Sequence, residues 1–398
     1  MTTGFLAVTL SPIVARSRAL IGALRTALSR SAAQAPLTVV CVAALVAMTA
    51  RPAMGQCPGD ITGNGMVNGA DLGLVLAAWG SDGTDEPGSD INADGLVNGA
   101  DLAFVIGAFG PCITVPSWAT LIEAQPDPAV VWDADLRAAI TATGLAWRVK
   151  DTATQMEMLL IPPGSFDMGC VTGSVQYPCY SWELPVHTVT LTNAFYLGRY
   201  EVTQAQWQAR MGNNPSAFQS ASSQVPADQV PNRPVEQVNW NMIAGAGGFM
   251  AQTGMRLPTE AEWEYAYRAG TTTAYHGFTG YPNGTNDDAL VQHIGWYYQG
   301  TDCSVGAACQ TRPVGGKAGN GFGLHDMAGN VFEWVNDWSG SYSSGAQTNP
   351  TGPTTGTRRV LRGGSWYITT YFLRASTRYS YTPDDTYYDI GCRAARSP

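Results

Sequence analysis

The sequence predicts an α+β domain rich in irregular loops, preceded by a small duplicated segment of loops and helices. Its 398 residues include 45 Gly, 24 Pro, 12 Trp and 17 Tyr, while charged residues make up 13%, about half the usual share. A hydrophobic content of 45% excludes general disorder. Short strand-like and helix-like runs alternate with glycine-rich stretches, which favours a compact fold with an aromatic core over a helical bundle.

The formal charge of −9 is distributed unevenly along the chain. Residues 1–56 carry +5, residues 57–112 carry −8, and the remaining residues carry −6. An acidic chain with few Lys and Arg is a poor electrostatic partner for nucleic acid. We therefore predict no nucleic-acid ligand.

Residues 1–56 have the pattern of a secretory signal peptide. Arginines precede a 12-residue apolar run at 37–48, which is shorter than the roughly 20 residues of a membrane-spanning helix. The AMG sequence at 53–55 suits cleavage before Gln56. An uncleaved anchor is the alternative. With cleavage, we predict a secreted, periplasmic or cell-surface protein without a membrane segment.

The cysteines fit an oxidising compartment. Cys41 falls in the predicted signal peptide, and seven cysteines follow it. Spacing leaves their connectivity open, and the simplest count is three bridges with Cys392 left over. The three neighbouring pairs are Cys57 and Cys112, Cys170 and Cys179, and Cys303 and Cys309. No pair has CxxC spacing with a nearby His, so we expect no zinc site.

Two 12-residue segments, DITGNGMVNGAD at 60–71 and DINADGLVNGAD at 90–101, repeat with a period of 30 residues. Oxygen ligands at positions 1, 3, 5, 7 and 12, with Gly at position 6, are typical of a calcium loop, and position 9 acts through water. The first loop offers Asp60, Thr62, Asn64, the Met66 carbonyl, Asn68 and Asp71. The second offers Asp90, Asn92, Asp94, the Leu96 carbonyl, Asn98 and Asp101.

The second loop has more carboxylates, so we expect it to bind Ca²⁺ more tightly. Two Asx and glycine turns without a metal are the alternative. No helix precedes either loop, and the last ligand is Asp rather than Glu, so residues 57–112 resemble a type I dockerin duplicated in tandem. The resemblance implies a cohesin-like protein partner, although loop positions 10 and 11 are Gly and Ala instead of the usual polar residues.

The rest of the chain is predicted to have two parts. Residues 113–150 form a linker with a lead-in helix, which Asp133 opens and Gly144 closes. Residues 151–398 form the large domain.

Local patterns place several elements in this region. Residues 147–169 predict two strands around a polar turn. Capping boxes predict helices that begin after Thr203 and Thr259, and the second helix is expected to end at Gly270. The GAGG run at 245–248 is expected to lie inside a helix.

A series of motifs then carries a family resemblance across residues 155–396. In order, they are EVTQAQW, NPSAF, PVEQVNW, RLPTEAEWEYA, GLHDMAGNVFEW, RGGSW and IGCRAA. The segment resembles the formylglycine-generating enzyme (sulfatase-modifying factor) family. The resemblance implies a C-type-lectin-like fold with little regular structure. It also implies an ancestral activity, the oxidation of a substrate cysteine to formylglycine by two cysteines that bind Cu(I).

Counting from Ser365 places those two cysteine positions at Ile368 and Leu373, which can neither bind copper nor perform thiol chemistry. We therefore predict no copper cofactor and name no catalytic residue. The family position that pairs with Cys392 falls at Tyr267, which implies a buried free thiol at Cys392.

The resemblance also implies a calcium site in the DMAGNVFE sequence. Its ligands would be Asp326, the carbonyls of Gly329 and Val331, and Glu333. The alternative is that the two carboxylates only cap and stiffen the loop.

Many aromatic residues lie on segments that flank the family's active groove. Core and rim packing is one interpretation of these residues, and stacking on sugars or peptides is the other. The group comprises Trp296, Tyr297, Tyr298, Trp366, Tyr367, Tyr371, Phe372, Tyr379, Tyr381, Tyr387 and Tyr388.

Together these features predict an exported, calcium-binding protein with a diverged ligand-binding domain, for carbohydrate or protein, tethered through its dockerin-like segment. The alternatives are an oxidoreductase of the formylglycine-generating type and another oxidative chemistry in the same groove.

Overall fold

The structure is a computed structural model that describes residues 57–170, 178–298 and 310–398. The predicted signal peptide and the proposed pairing of Cys303 with Cys309 lie outside these residues. Two separate hydrophobic clusters organise the described chain, a small one in the duplicated segment and a large one after it. In the described ranges, no helix has the length and apolar character needed to cross a membrane.

The duplicated segment contains two nine-residue helices, α1 (Gly69–Ala77) and α2 (Gly99–Gly107). Each follows an Asn N-cap, Asn68 or Asn98, whose side chain accepts from the backbone N–H two residues later. Four buried valines form most of the small core: Val67, Val75, Val97 and Val105.

The ends of this segment are joined twice. Strand β1 (Met66–Val67) pairs with β2 (Gly110–Pro111) in antiparallel register. The Cys57–Cys112 disulfide closes the same ends, as the cysteine count predicted.

The large domain contains five further α-helices in the described residues. They are α3 (Ala134–Ala142), α4 (Gln204–Met211), α5 (Trp240–Ala244), α6 (Phe249–Thr253) and α7 (Glu260–Arg268). Shorter 3₁₀ turns lie at Ser181–Glu183, Ala227–Asn232, Asp288–His293 and Thr370–Leu373.

Its strands are short, which fits a chain rich in Gly and Pro. The first six are β3 (Ala119–Glu123), β4 (Arg148–Asp151), β5 (Glu157–Ile161), β6 (Gly164–Met168), β7 (His187–Leu191) and β8 (Phe195–Gly198). The others are β9 (Gly295–Trp296), β10 (Ala328–Gly329), β11 (Phe332–Trp338), β12 (Gln347–Thr348), β13 (Arg359–Arg362), β14 (Tyr379–Tyr381), β15 (Ile390–Cys392) and β16 (Ala395–Arg396).

These strands form one antiparallel sheet and several smaller ones. The five-stranded sheet has the order β16-β8-β5-β4-β3, and a four-stranded sheet has the order β14-β13-β11-β15, in which β11 and β15 are parallel. Strands β12, β7 and β6 form a third sheet, and β9 and β10 form a parallel pair. The C-terminal strand β16 therefore forms one edge of the five-stranded sheet, and β3, the first strand of the large domain, forms the other edge.

The two strands predicted in residues 147–169, the second of them ended by Pro162 and Pro163, are present as β4 and β5, and the chain then forms a further strand, β6, in a different sheet. Two other local predictions need correction. The turn after α7 begins at Ala269, which already has a left-handed φ of 44° before Gly270. The glycines at 245–248 link α5 and α6 instead of lying inside one helix.

Other local predictions are confirmed. Asp133, Thr203 and Thr259 are the N-caps of α3, α4 and α7, and the last two complete capping boxes with Gln206 and Glu262. In these cases the side chain and the backbone N–H that it serves are three residues apart, so the sequence alone specifies the contact.

Candidate functional site

The first predicted calcium loop is folded around its leading carboxylate. Asp60 Oδ1 accepts from the backbone N–H of Asn64 at 3.0 Å, and Oδ2 accepts from that of Gly65 at 2.8 Å. Gly65 has a φ of +81°, a value that glycine adopts without strain. The Asn64 side chain accepts in turn from the Met66 N–H at 2.9 Å. These bonds hold the polar oxygens of the loop at one turn.

Asp71, the last predicted ligand of this loop, is fully buried. Its Oδ1 accepts from both the N–H and the hydroxyl of Thr62 at 2.9 Å, and its Oδ2 accepts from the N–H of Asn68 at 2.9 Å. The Thr62 hydroxyl also lies 3.3 Å from Asp60 Oδ1. The structure thus brings the first, third and last loop positions together.

The second loop repeats this arrangement. Asp90 accepts from the N–H groups of Asp94 and Gly95 at 3.1 and 2.9 Å, and the Asp94 N–H also lies 3.0 Å from Asn92 Oδ1. Asp94 Oδ1 accepts from the Leu96 N–H at 3.0 Å. The loop therefore gathers the same positions with one more carboxylate.

Asp101 has the same role in the second loop as Asp71 in the first. It is fully buried and accepts from the N–H groups of Ile91, Asn92 and Asn98 at 2.8, 3.2 and 2.9 Å. The Asn98 amide also donates to the Leu96 carbonyl at 2.8 Å.

A second group of acidic residues is buried in the large domain. Asp326 Oδ2 accepts from the Gly315 N–H at 2.6 Å. Its other oxygen, Oδ1, is buried and has no hydrogen-bond partner among the described residues. Burial raises the pKa of Asp326 to about 6. A buried carboxylate oxygen without a donor is a position where a cation would be stabilised.

Glu201 lies next to this group, and the sequence analysis did not include it. Its carboxylate accepts from the Asn330 amide at 2.6 Å and from the Val331 N–H at 3.0 Å. Burial first, and then the charges of Asp326 and Glu333, raise its pKa well above the ordinary value. The available signal was its place in the EVTQAQW motif.

Glu333 is neutralised by a direct ion pair. Its carboxylate accepts from Arg393 at 2.6 Å and from the Trp263 indole N–H at 2.7 Å. Gly329 and Val331, whose carbonyls are predicted to bind calcium together with Glu333, are buried on the turn before it. Gly329 has a φ of +84°.

Among the described residues, one group of three acidic, Cys or His side chains has all its ligand atoms within 4.8 Å of one another. It consists of Cys170, Cys179 and Glu183. The two sulfurs form a disulfide, as predicted, and Glu183 pairs with Arg374 at 3.0 Å, so this group is structural. A cation at Asp326 would therefore need backbone carbonyls as well as carboxylates.

The third region is the turn after β13, where Gly363 and Gly364 have φ values of +91° and +77°. The Ser365 hydroxyl that follows donates to Asp389 at 2.8 Å. Leu373 is fully buried, whereas Ile368 is half-buried and packs against the core. Both side chains are hydrocarbon, so neither of these two positions supplies a metal ligand.

An aromatic surface is defined here by six tyrosines whose rings form two sets of contacts: Tyr298, Tyr367 and Tyr388, and Tyr379, Tyr381 and Tyr387. Tyr367 is 52% exposed, and its ring lies 5.6 Å from that of Tyr388 and 6.5 Å from that of Tyr298. Tyr381 connects the rings of Tyr379 and Tyr387 at 5.2 and 4.6 Å. Trp366, in contrast, is buried.

Comparison with protein families gives a match for the large domain and one for the duplicated segment. A sulfatase-modifying factor enzyme 1-like domain matches residues 146–398. The chain belongs to this family. A dockerin type I domain matches residues 58–110.

Individual relatives of the sulfatase-modifying factor domain agree with this assignment. A formylglycine-generating enzyme of Streptomyces coelicolor is 33% identical over 314 residues, which cover 65% of this chain and 94% of that protein. One from Thermomonospora curvata is 38% identical over 182 residues, covering 42% and 57%. Treponema denticola variable protein 1 has a similar structure, with a TM-score of 0.52, 29% identity, and coverage of 61% and 95%.

Proposed function

We propose that this sulfatase-modifying factor enzyme 1-like protein is an exported, calcium-dependent binding protein on a C-type-lectin-like fold. In this proposal its aromatic surface binds a carbohydrate or peptide, and its dockerin segment attaches it to a cohesin-type partner. It acts outside the cell, as a secreted, periplasmic or cell-surface protein.

The observation that carries the proposal is the chemistry of Ile368 and Leu373. The family's copper chemistry requires two thiolates at these positions, because soft sulfur ligands select Cu(I). A half-buried isoleucine and a fully buried leucine supply no ligand and no nucleophile. The neighbouring Cys392 does not replace them, because it is fully buried and burial raises the pKa of its thiol.

The exposed tyrosines support a binding role. Five of the six are exposed, all except Tyr381, and their rings contact one another, a combination suited to stacking on sugar rings or peptide side chains. The same loops contain Ser365 and Asp389, whose side chains hydrogen-bond to each other beneath Tyr367. The aromatic surface therefore rests on an ordered turn.

Calcium is the cofactor that these residues fit. Each dockerin loop gathers its predicted oxygen ligands, and three exposed or half-exposed carboxylates there, Asp60, Asp90 and Asp94, have no basic residue in the segment to neutralise them. In the large domain, Asp326 Oδ1 is buried without a hydrogen-bond partner among the described residues, and the Glu201 carboxylate lies beside it. Two buried carboxylates at one place fit a hard cation better than an empty space.

The dockerin helices offer a surface for a protein partner. Leu76 and Trp79 are exposed after the first loop, and Ile106 and Phe109 are exposed at the equivalent positions, 30 residues later. Exposed apolar side chains that recur on both copies are typical of an interaction surface. The loop positions 10 and 11 are small, so recognition would depend on these apolar residues.

The first test separates binding from oxidation. We expect a peptide with the CxPxR sequence to remain unchanged after incubation with the protein, copper and oxygen, by mass spectrometry. The paired variant I368C/L373C should bind Cu(I), while the wild-type protein should not. Conversion of the peptide by the wild-type chain would show that it is an oxidase.

The second test is a glycan and peptide array with Ca²⁺ present. We expect ligands that bind the wild-type protein to lose at least tenfold in affinity in Tyr367→Ala. Tyr281→Ala is the matched control, since this tyrosine is exposed outside the aromatic surface. Equal losses in both variants, or no ligand on either array, would contradict the binding role.

A further inference from the structure

A cavity of about 330 Å³ lies in the large domain, where the start of β7 and the end of β11 meet the beginning of α7. The chain between residues 340 and 353 completes its wall. A cavity of this volume suits a single small molecule. Every residue that lines it belongs to the described chain, and none belongs to the aromatic surface.

Asp337 is the first of two unused acceptors in this wall. It is more than nine-tenths buried, and its Oδ2 accepts from the Glu260 N–H at 2.9 Å. Its Oδ1 accepts from no donor among the described residues. A buried carboxylate oxygen without a donor is unfavourable, so a donor group from a ligand would stabilise it.

His187 is the second acceptor, and it is also more than nine-tenths buried. Its Nδ1 lies 3.1 Å from the Pro185 carbonyl oxygen. A carbonyl oxygen can only accept, so Nδ1 carries the proton and Nε2 of the neutral ring is left as an acceptor. In the part of the chain that the structure covers, no donor reaches Nε2. Asp337 and His187 therefore each present an unused acceptor at one cavity.

A continuous set of contacts fixes the positions of these two acceptors. The His187 ring packs against the Tyr342 ring, with 4.8 Å between the centroids. The Tyr342 hydroxyl donates to Glu260 Oε1 at 3.2 Å, and the N–H of the same Glu260 donates to Asp337. Both acceptors are therefore held by ordered neighbours.

The loop that covers Asp337 is closely packed. A Cβ on Gly352, at a φ of +70°, would lie 3.0 Å from Asp337 Cβ, and one on Gly340 would lie 2.6 Å from the Pro353 ring. Glycine at both positions lets the loop approach the carboxylate and exclude water from it. The resulting burial raises the pKa of Asp337 to about 7, and a cation in the cavity would oppose this shift.

The positive charge in the wall is already used by the protein. Arg378 donates to Glu260 through Nε and Nη2, at 2.5 and 2.7 Å, and through Nη1 to the carbonyls of Trp182 and Gly340 at 3.0 and 2.8 Å. An anionic ligand would therefore have to displace these partners. A metal ion also fits poorly. The described ranges contain one group of three acidic, Cys or His side chains close enough to share an ion, and neither acceptor belongs to it.

We propose that this cavity binds the ammonium group of a small molecule, such as an amino sugar or a short alkyl amine. A primary ammonium has three N–H donors, no acceptor and one positive charge, so it complements the free oxygen of Asp337 through a charge-assisted hydrogen bond. Nε2 of His187 accepts from the same group or from a neighbouring hydroxyl of the ligand. This site is separate from the aromatic surface and from the calcium loops, so it can be tested independently of the proposed function.

The experiment uses the full chain, with glucosamine and ethanolamine as probes in isothermal titration calorimetry at neutral pH and constant ionic strength. Glucose and choline are the counterparts, since glucose has no ammonium group and choline keeps the charge without an N–H. We expect saturable binding of at least one amine, and binding of both counterparts weaker by about tenfold or more. Glucosamine alone would indicate an amino sugar, ethanolamine alone a short alkyl amine, and both the ammonium group itself.

Variants assign the binding to the two acceptors. Asp337→Asn removes the charge, although its amide oxygen can still accept from the Glu260 N–H, and should weaken amine binding about tenfold or more. His187→Phe keeps a ring against Tyr342 but removes Nε2, and should weaken binding about threefold to tenfold. Asp135→Asn is the matched control, because Asp135 is an exposed carboxylate outside the cavity, and should bind like the wild type.

Thermal unfolding gives an independent measure of folding and binding, because a ligand that binds only the folded state raises its melting temperature in a saturable manner. The two variants lie on different strands, so the test stays decisive if one of them folds poorly. Three results would overturn the proposal. They are the absence of saturable binding by both amines, equal binding of glucose and choline, and unchanged amine binding in both Asp337→Asn and His187→Phe.

Discussion

Arg393 and Glu333 form a fully buried, bidentate ion pair, with Arg393 Nη2 at 2.6 Å from Oε1 and Nε at 3.1 Å from Oε2 of Glu333. Arg393 also donates to the carbonyls of Gly198 and His325, at 2.9 and 2.8 Å. One guanidinium thus joins β11, β8 and the loop before Asp326.

Replacing Arg393 with methionine should destabilise the protein strongly. The variant would leave Glu333 buried without its counter-charge, and such changes typically lower stability by about 3–5 kcal/mol. Urea unfolding at neutral pH measures the difference. Arg358→Met, which removes an exposed arginine, should change stability by less than about 0.5 kcal/mol. A loss below about 1 kcal/mol in Arg393→Met would show that the pair contributes little.

Calcium should bind at three sites, the two dockerin loops and the region of Asp326. Equilibrium dialysis should give three ions for the wild type and two for each of Asp60→Ala, Asp90→Ala and Asp326→Ala. Removal of calcium with EGTA should lower the melting temperature, because bound ions stabilise the folded state. Asp82→Ala is the control, since Asp82 is an exposed acid of the dockerin segment outside both loops. An unchanged melting temperature in EGTA would contradict all three sites.

The second dockerin loop should bind calcium more tightly than the first. It has three carboxylates among its ligand positions, and the first loop has two, and affinity rises with ligand charge. The reciprocal variants Asn64→Asp and Asp94→Asn exchange this difference at loop position 5. Calorimetry should show tighter binding in the first variant and weaker binding in the second. Opposite or absent changes would mean that loop geometry, instead of charge, sets the affinity.

Features encoded over three or four residues could be predicted from the sequence. Thr203 and Thr259 cap their helices because each hydroxyl reaches an N–H three residues ahead in any helix start. The calcium loops are local in the same way, since each 12-residue segment contains its own candidate ligands. The motifs of the large domain likewise identified its family before the fold was known.

Features that depend on tertiary contact could not be predicted in this way. Glu201 acts electrostatically on Asp326 although the two are 125 positions apart in the sequence, and no periodicity connects them. Arg233 gives no signal in the sequence that its guanidinium will be buried and incompletely paired. Strand β6 was missed for a related reason, because a pair of prolines ends one strand while the next strand joins a different sheet.

After the predicted cleavage before Gln56, Cys392 should be the single free thiol of the chain. The structure shows it unpaired and buried, and burial raises the pKa of its thiol, which makes the thiolate scarce. Titration with a thiol reagent should therefore detect no cysteine in the native protein and one in the denatured, unreduced protein. Cys392→Ala is the control and should give none in either state. Three thiols in the denatured wild type would show that one predicted bridge, such as that between Cys303 and Cys309, does not form.

Asp337 should make the protein less stable as the pH rises from about 4 to about 7. Burial, followed by the charge of Glu260, raises its folded-state pKa from 3.8 to about 7. The folded protein therefore retains a proton that the unfolded chain releases above about pH 4. The contribution of the protonated Asp337 to the free energy of unfolding is complete below about pH 4 and is lost between about pH 4 and 7. A pKa shift of this size corresponds to a loss of about 4 kcal/mol in that free energy.

The variant Asp337→Asn should remove most of this dependence, because its amide oxygen can still accept from the Glu260 N–H, as Asp337 does at 2.9 Å. Urea unfolding at pH 5 and pH 8 should show a smaller difference in the variant than in the wild type. The exposed carboxylate of Asp135 provides the matched control, and Asp135→Asn should keep the wild-type difference. If Asp337→Asn retains the full loss of stability between these pH values, the titrating group is another buried acid. Glu236, whose pKa burial also raises to about 7, would then be the next residue to replace.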